Sequence, residues 1–576
     1  MKKVKSLAAL ALAAISSLSF AACRGNSDNP NNETIDASRT QLYVNNYSGG
    51  YGVEWLTQVK KDYEALHAED VYEEDKKGIQ IVINNTRTSL TKDTVLGNVD
   101  EVYFTEHVFY HDFLAQGMFA DVTEAVTGKN KYDNDKTVAS KLSKQQEKSY
   151  NVDGKYYGIP HYSGAYGFIY NKELFEAEGF YLIQNIPDDA KIDDISGSLT
   201  QYFDYLGQGK TAYTAGPDGE KGTDDDGLPA TYTEFFALCE YISLAGENYT
   251  PIIWTGKYRE QHLMGLLSSM LADSEGLQQS MLRLEFDGTA TELGKIVNGE
   301  FLLDSEPTKI TSDNGYELSR QASVYYALKF LENLLNNTEY YNSKDGAFND
   351  AFEHTDAQSK FVWSGVNGNK KYAMLVDGDW WEEEATDSFN KMVQFDGNGD
   401  RYKKENRDFG WLPLPKATRN KVGQKGVIYD TRASMCFVKA NTAAWKMPIA
   451  IDFLQYVNSD AKLVEFSQIT NTFKALNYTM DEEALAKLTP FGRSVYTYRQ
   501  NTDILQLTST NSLYSNNQKT LAPSELFAAT NPSSQATWFY PVNVFRDENG
   551  KQVASAETYF TAINTYFSGI WSGLSR

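Results

Sequence analysis

KYAMLVDGDWWEEE, residues 371–384, is the stretch from which the rest of this chain can be read. Tyr372 to Val376 form a short, continuous apolar run, which predicts a buried strand. Asp377 and Gly378 end it, and Trp380 and Trp381 follow at once. Glu382, Glu383 and Glu384 suit the first turn of a helix, where carboxylates meet the positive end of the macrodipole. Two indoles therefore stand at a strand-to-helix corner, the part of an α/β sheet where ligands sit. One of them is expected in the core and the other as a stacking platform in a cleft, because an indole offers a flat apolar face beside a polar edge. A sugar ring presents the same combination.

On either side of this corner the pattern alternates between strand and helix. Residues 323–335 carry Val324, Leu328, Leu331 and Leu335 at helical spacing. FGWLPL at 409–414 is extended, 433–439 reads as a strand, and a helix follows through Ile449, Phe453 and Val457 with Pro448 in its first turn. Nearer the N-terminus, 41–44 is a strand, NNYSGGYG at 45–52 is a glycine-rich turn, and Val53, Leu56, Val59, Tyr63 and Leu66 predict a helix. Strands at 79–83 and 101–105 and a helix at 107–115 follow. Such alternation predicts α/β lobes with a largely parallel sheet. DGKYYGIPHYSGAYGFIYN, 153–171, is an extended aromatic segment whose glycines suit a crossing between lobes. A helix at 172–178 ends at Gly179. Thr231 to Glu234 form a capping box opening a helix to Leu244, and Tyr559, Ile563, Tyr566, Phe567 and Ile570 give the last helix a broad apolar face.

At 576 residues the chain predicts two lobes, and with 23% charged and 41% hydrophobic residues it is globular. A net charge of -23 argues against nucleic acid and against a polybasic membrane patch. Tyrosine is abundant, 38 against 14 prolines, and supplies rigid contact surfaces for polar ligands with apolar faces.

The N-terminus reads as a targeting segment. Lys2, Lys3 and Lys5 precede an apolar stretch at 7–20 that is too short to span a bilayer. Ala21 and Ala22 then precede Cys23 in the manner of a bacterial lipobox, with Phe20 where leucine is usual. The expectation is a signal peptide over 1–22, a lipid on Cys23, and a flexible polar tether over 23–40. Cys239 and Cys436 stand in apolar settings far apart in the chain, which favours two buried thiols over a bridge.

Motifs for chemistry are few. Glu106, His107, His111 and Asp112 cluster with the histidines at i and i+4, but the order HExxH is absent and the chain has only 6 histidines. Asp218, Glu220, Asp224 and Asp226 in the loop 215–229 could supply oxygens to a structural calcium ion, although the spacing is not that of an EF-hand and an acidic solvated turn is the simpler reading. Asp396 to Asp400 is a weaker version of the same loop, since Arg401 replaces the glycine that such a site needs. No G-x-S-x-G elbow, Walker loop or Rossmann fingerprint is present. No organic cofactor is implied.

Five segments resemble, in order, those of the bacterial extracellular solute-binding proteins of family 1, the lipoprotein receptors of carbohydrate ABC importers related to maltose-binding protein. They are the lipobox before Cys23, the strand, turn and helix at 42–66, GIPHYSGAYGFIYNKELF at 158–175, YAMLVDGDWW at 372–381 and FGWLPLP at 409–415. The resemblance implies a two-lobed α/β periplasmic-binding-protein fold of the class II type, with a ligand cleft between lobes. Lobe one would comprise 41–160 and 416–460, and lobe two 161–415 and 461–576, with extra residues around 187–229 and 304–371. It implies an oligosaccharide ligand, permease subunits as partners, a monomeric, non-enzymatic protein, and attachment to the outer face of the cell membrane through lipid alone.

The same resemblance assigns the cleft residues. Trp380 matches the stacking position, beside Asp379 and with Trp381 as its buried neighbour. Ser48 and Tyr51 belong to the turn that offers groups to the ligand. Asn84 and Glu106 follow strands of lobe one, Tyr162 and Ser163 line the cleft floor, and Phe473 lies past the later crossing. Two alternatives stand beside this reading. A SusD-like glycan-binding lipoprotein would open with helix–turn–helix repeats, whereas this chain opens strand–helix–strand. A lipid-anchored glycoside hydrolase would need two carboxylates paired across one cleft.

Overall fold

The computed structural model describes residues 34–87, 90–395, 399–522, 525–547 and 549–576. Cys23, its lipobox and most of the tether lie outside the described residues, as does the start of the 396–400 loop.

Two sheets organise the chain. The first runs in the order Ile79–Thr86, Thr40–Tyr47, Val102–Thr105, Met435–Val438, Ile159–Pro160. Its first three strands are parallel, and Met435–Val438 lies antiparallel between Val102–Thr105 and Ile159–Pro160. Parallel neighbours require a crossover, supplied by the helix Glu54–Leu66. That helix buries Trp55, Leu56, Val59 and Tyr63, whereas Leu66, expected on the same face, is 57% exposed in the last turn.

The second sheet has the order Phe409–Leu412, Tyr166–Asn171, Lys371–Gly378, Tyr249–Ile253. Lys371–Gly378 is antiparallel to Tyr166–Asn171 and parallel to Tyr249–Ile253. Every residue from Tyr372 to Gly378 is buried, because a central strand covered on both faces reads as an unbroken apolar run. Val376, Met374 and Phe168 pack in the largest core, on one face, and Leu375 and Ile169 in a second core on the other.

Chain segments cross between the sheets. Residues 159–171 pass from the first to the second, and 430–435 return. Tyr162–Ser163, within the outgoing crossing, pairs antiparallel with Phe473–Lys474. Two expected lobe boundaries differ from this arrangement. Helix Asp460–Thr470, expected in lobe two, sends Leu463 and Phe466 into the first lobe's core, because its apolar side lies against the helix Glu54–Leu66. Strand Val427–Asp430, expected in lobe one, pairs with Asp503–Gln506, and its Val427 and Tyr429 pack in the second lobe's core.

The capping box at Thr231 is half formed. Thr231 Oγ1 accepts from Glu234 N at 3.3 Å, but the Glu234 carboxylate takes Ile186 N and Ala230 N and pairs with Arg419. Around 304–371 the extra residues include helices Ala322–Asn336 and His354–Val362, and the C-terminal helix Ala556–Ile570 lies on the former through Lys329–Glu557. Cys239 and Cys436 are buried free thiols. Among the described residues no helix is long and apolar enough to cross a membrane.

Candidate functional site between the lobes

The loops that leave the ends of strands Thr40–Tyr47, Val102–Thr105 and Lys371–Gly378 meet the two crossings in one place. The glycine-rich turn after Thr40–Tyr47 holds Gly50 and Gly52 at φ +64° and +68°, a conformation that glycine adopts without penalty. A Cβ on Gly50 would stand 3.2 Å from Cγ of Trp380, so the turn touches the opposite lobe where only a hydrogen fits. Tyr51 closes the turn, fully buried, its ring 4.8 Å from that of Tyr162 and 5.5 Å from that of His161.

Tyr162 Oη donates to Asp379 Oδ1 at 2.9 Å, joining the crossing to the end of the second sheet. Burial pushes the Asp379 carboxyl up to about 7, against the pull of Arg499. Arg499 Nη1 also donates to the Ser163 carbonyl at 3.5 Å. Across the site, Arg432 Nη2 donates to Glu106 Oε2. Burial drives Glu106 up to about 7, and the guanidinium restrains that rise. The Arg432 guanidinium carbon stands 4.2 Å from the Trp380 ring centroid, and the Tyr166 ring meets that indole edge-on at 5.0 Å.

Four buried polar atoms in this cluster have no hydrogen-bond partner within the protein: Tyr51 Oη, Ser163 Oγ, Glu106 Oε1 and Arg432 Nε. Buried polar groups are usually paired, so these four atoms on neighbouring residues are available to a ligand or to water.

The remaining candidates are distributed differently. Trp380 is only 5% exposed, so the open platform expected of it is instead covered by Arg432 and approached by Gly50. Trp381 takes no part in the cleft. It is fully buried among Phe361, Phe409 and Phe491, 5.2–5.6 Å away, since successive residues at a helix start point in different directions. Phe473 is core as well: paired opposite Ser163, its ring packs on Tyr496 at 5.7 Å. Asn84 is tied to Asp100, which also accepts from Asn45 at 2.9 Å, and so faces that network and not Glu106. Ser48 is half-buried at the strand end, its N–H donating to Thr86 O at 3.1 Å.

Arg432, Asp430, Arg499 and Tyr166 join the site without having been expected there. The available signal was YDTRAS at 429–434, a charged pair set between two apolar strands.

The acidic loop is tied down by its own hydrogen bonds, as an acidic turn would be. Asp218 Oδ1 accepts from Glu220 N at 2.8 Å and Asp226 Oδ2 from Gly222 N at 2.7 Å, while Asp225 turns inward to accept from Asp218 N at 3.0 Å. Glu106 is engaged with Arg432, which removes it from a metal face with His107 and His111. Among the described residues no group of three or more His, Cys, Asp or Glu is arranged to hold a metal ion.

Residues 49–264 match the family model described as bacterial extracellular solute-binding protein. Among solved structures, the chain is similar to the SBP RafE in complex with raffinose, at 14% identity over 92% of this chain and 100% of that one, with a TM-score of 0.51. It is similar to a chitin oligosaccharide binding protein at 14% identity over 93% and 100% of the two chains, also with a TM-score of 0.51. At that identity the likeness is one of fold. A comparison with curated proteins gave no match. The family model matches less than half of the chain, and the fold of two α/β lobes is the one that these structures share.

Proposed function

We propose that this protein is the substrate-binding component of an ABC importer that captures a carbohydrate, an oligosaccharide, by closing its lobes and presents it to a membrane permease. The observation that carries the reading is the set of four unpartnered buried atoms on Tyr51, Ser163, Glu106 and Arg432. Two hydroxyls, one carboxylate oxygen and one guanidinium N–H can between them accept from and donate to neighbouring ring hydroxyls, and Tyr51, Tyr162 and Trp380 supply the apolar surface beside them. The names of the two similar structures, one with raffinose and one for chitin oligosaccharide, favour the same ligand class. Binding is favoured over hydrolysis because the cleft carboxyls are already engaged, Glu106 by Arg432 and Asp379 by Tyr162. A lipid on Cys23 and the polar segment after it would hold the protein as a monomer at the outer face of the membrane.

The test is a melting-temperature screen against raffinose, maltotriose and chitotriose, followed by calorimetry on any sugar that raises it, since a ligand of the native state stabilises it. Binding of one sugar class with release of no hydrolysis product is the expected outcome. Hydrolysis, or indifference to every neutral oligosaccharide, would overturn the reading.

A further inference from the structure

Two residues that are not glycine hold left-handed backbone on facing loops of the site, His107 at φ +58° and Ala433 at φ +44°. Their loops are bonded together, His107 N to Arg432 O at 2.8 Å and Val108 N to Ala433 O at 3.1 Å. Such conformations are unfavourable and persist only where the surroundings over-determine them. Here they aim one side chain. Arg432 leaves the return crossing, bonds Glu106 at the end of a first-lobe strand, and lays its guanidinium on Trp380 at the end of the central second-lobe strand. Arg432, Glu106 and Trp380 are 6%, 5% and 5% exposed. Trp380 follows the central strand of the second sheet by two residues, yet packs in the first lobe's core. Gly50, whose missing side chain admits the indole, completes the enclosure.

We infer that Arg432 is a positioning residue that latches the two lobes across Trp380, so that closure is held by a protein–protein contact beside the ligand as well as by the ligand itself. The inference rests on the reading above in that it takes the lobes to open and close on a solute. A guanidinium stacked on an indole attracts it most strongly when both are out of water, which holds only while the lobes meet. Opening leaves the Arg432–Glu106 pair on lobe one and strips it of Trp380. Because apparent affinity scales with the fraction of molecules in the competent form, loss of the latch weakens binding by more than the ligand contacts of Arg432 and Trp380 alone, and it shifts the lobes even when no sugar is present.

The experiment measures the distance between spin labels on the full-length protein at two exposed positions, Val71 (69%) on lobe one and Leu206 (67%) on lobe two, each changed to cysteine with Cys23→Ala. Cys239 and Cys436 are buried and stay unlabelled. Without any sugar, Arg432→Met is expected to shift the open-to-closed ratio at least threefold towards longer distances, and Arg432→Lys, which keeps a cation for Glu106 and the indole, to recover part of it. Trp380→Leu should act like Arg432→Met, with the double variant no worse than either, since both remove one interaction. Should Arg432→Met fail to fold, Trp380→Leu decides alone, because it leaves the Arg432–Glu106 pair intact. Distances that superimpose on the wild type, or effects of the two variants that add, overturn the latch. If the wild type binds a sugar but the variants leave the distances unchanged, the latch falls and the binding reading stands. If the distances shift but no sugar raises the melting temperature, the latch stands and the carbohydrate reading falls.

Discussion

Tyr51 carries a buried hydroxyl that bonds nothing in the protein, so fold and function pull on it in opposite directions. Removing an unpaired buried hydroxyl stabilises a protein by about 1 kcal/mol or more, because its desolvation is uncompensated. Tyr51→Phe should therefore raise the melting temperature while weakening sugar binding roughly tenfold, the equivalent of about 1.4 kcal/mol. A calorimetric titration beside a thermal melt checks both halves. Unchanged affinity would remove Tyr51 from the site. Lys474 is strained in another way. Its ammonium lies 2.7 Å from His161 Nδ1 and over the rings of Trp55 and Phe466, and burial pushes its pKa down to about 7. An unfolded lysine keeps its proton to about pH 10.4, so between pH 7 and 10 the unfolded chain binds the extra proton and this residue makes stability rise with pH. Lys474→Met should flatten that rise and raise stability at pH 7, as urea unfolding at several pH values would record. An unaltered profile would mean that the ammonium is stabilised by something other than these rings.

Helices and strands with a local signature were legible in advance. The apolar run ending at Gly378, the asparagine-capped helix Lys172–Glu178 that stops at Gly179, and the turn 45–52 each declare themselves within about ten residues. What escaped was anything whose meaning lies in a distant partner. Arg432 reads as a surface arginine until Glu106, 326 positions away, is brought against it. Asn84 and Phe473 sit at plausible places in their elements, but orientation is set by Asp100 and by the pairing with Ser163, neither of which leaves a local pattern. The tryptophan pair shows the same limit, since adjacency says that the two indoles diverge and nothing about how far each is covered. Trp381 is the one that holds its element in place. Trp381→Ala should cost ~3–5 kcal/mol of stability in a denaturation curve, and a loss below about 1 kcal/mol would contradict its place among Phe361, Phe409 and Phe491. On the facing loop, Ala433→Gly relieves a left-handed alanine that costs roughly 1–2 kcal/mol, more than the roughly 0.4–1 kcal/mol by which glycine loosens the unfolded chain, so a urea denaturation curve should show a small net stabilisation.

Over the whole molecule, protonation follows from burial. Glu106, Asp377, Asp379 and Glu382 are pushed up to about 7 and Asp430 to about 6, in each case chiefly by burial, and all lie at or behind the junction of the lobes. Groups whose pKa is raised on folding hold protons that the unfolded chain has lost, so their contribution is fully present below about pH 4 and is lost as pH rises through 7. Melting temperature should fall between pH 5 and 8, and Asp379→Asn with Glu382→Gln should make that decline shallower. A melting temperature that climbs across this range would show the junction carboxyls to be ionised and well paired.

Strand Met435–Val438 is an interior strand of the first sheet, between Val102–Thr105 and Ile159–Pro160, yet every strand of the second sheet precedes it in the chain. A ribosome that has delivered the N-terminal strands has therefore made a sheet with an interior strand missing, and must make every strand of the second sheet before the gap can be filled. Contacts of such long sequence separation form slowly, and until they do the flanks of Val102–Thr105 and Ile159–Pro160 are open edges available to other chains. For a protein read as leaving the cell, that delay keeps the chain loose enough to be threaded outward. It also means that a fragment ending before residue 435 should aggregate in place of folding, whereas a circular permutant that brings this strand next to Val102–Thr105 in sequence should fold faster than the natural order allows.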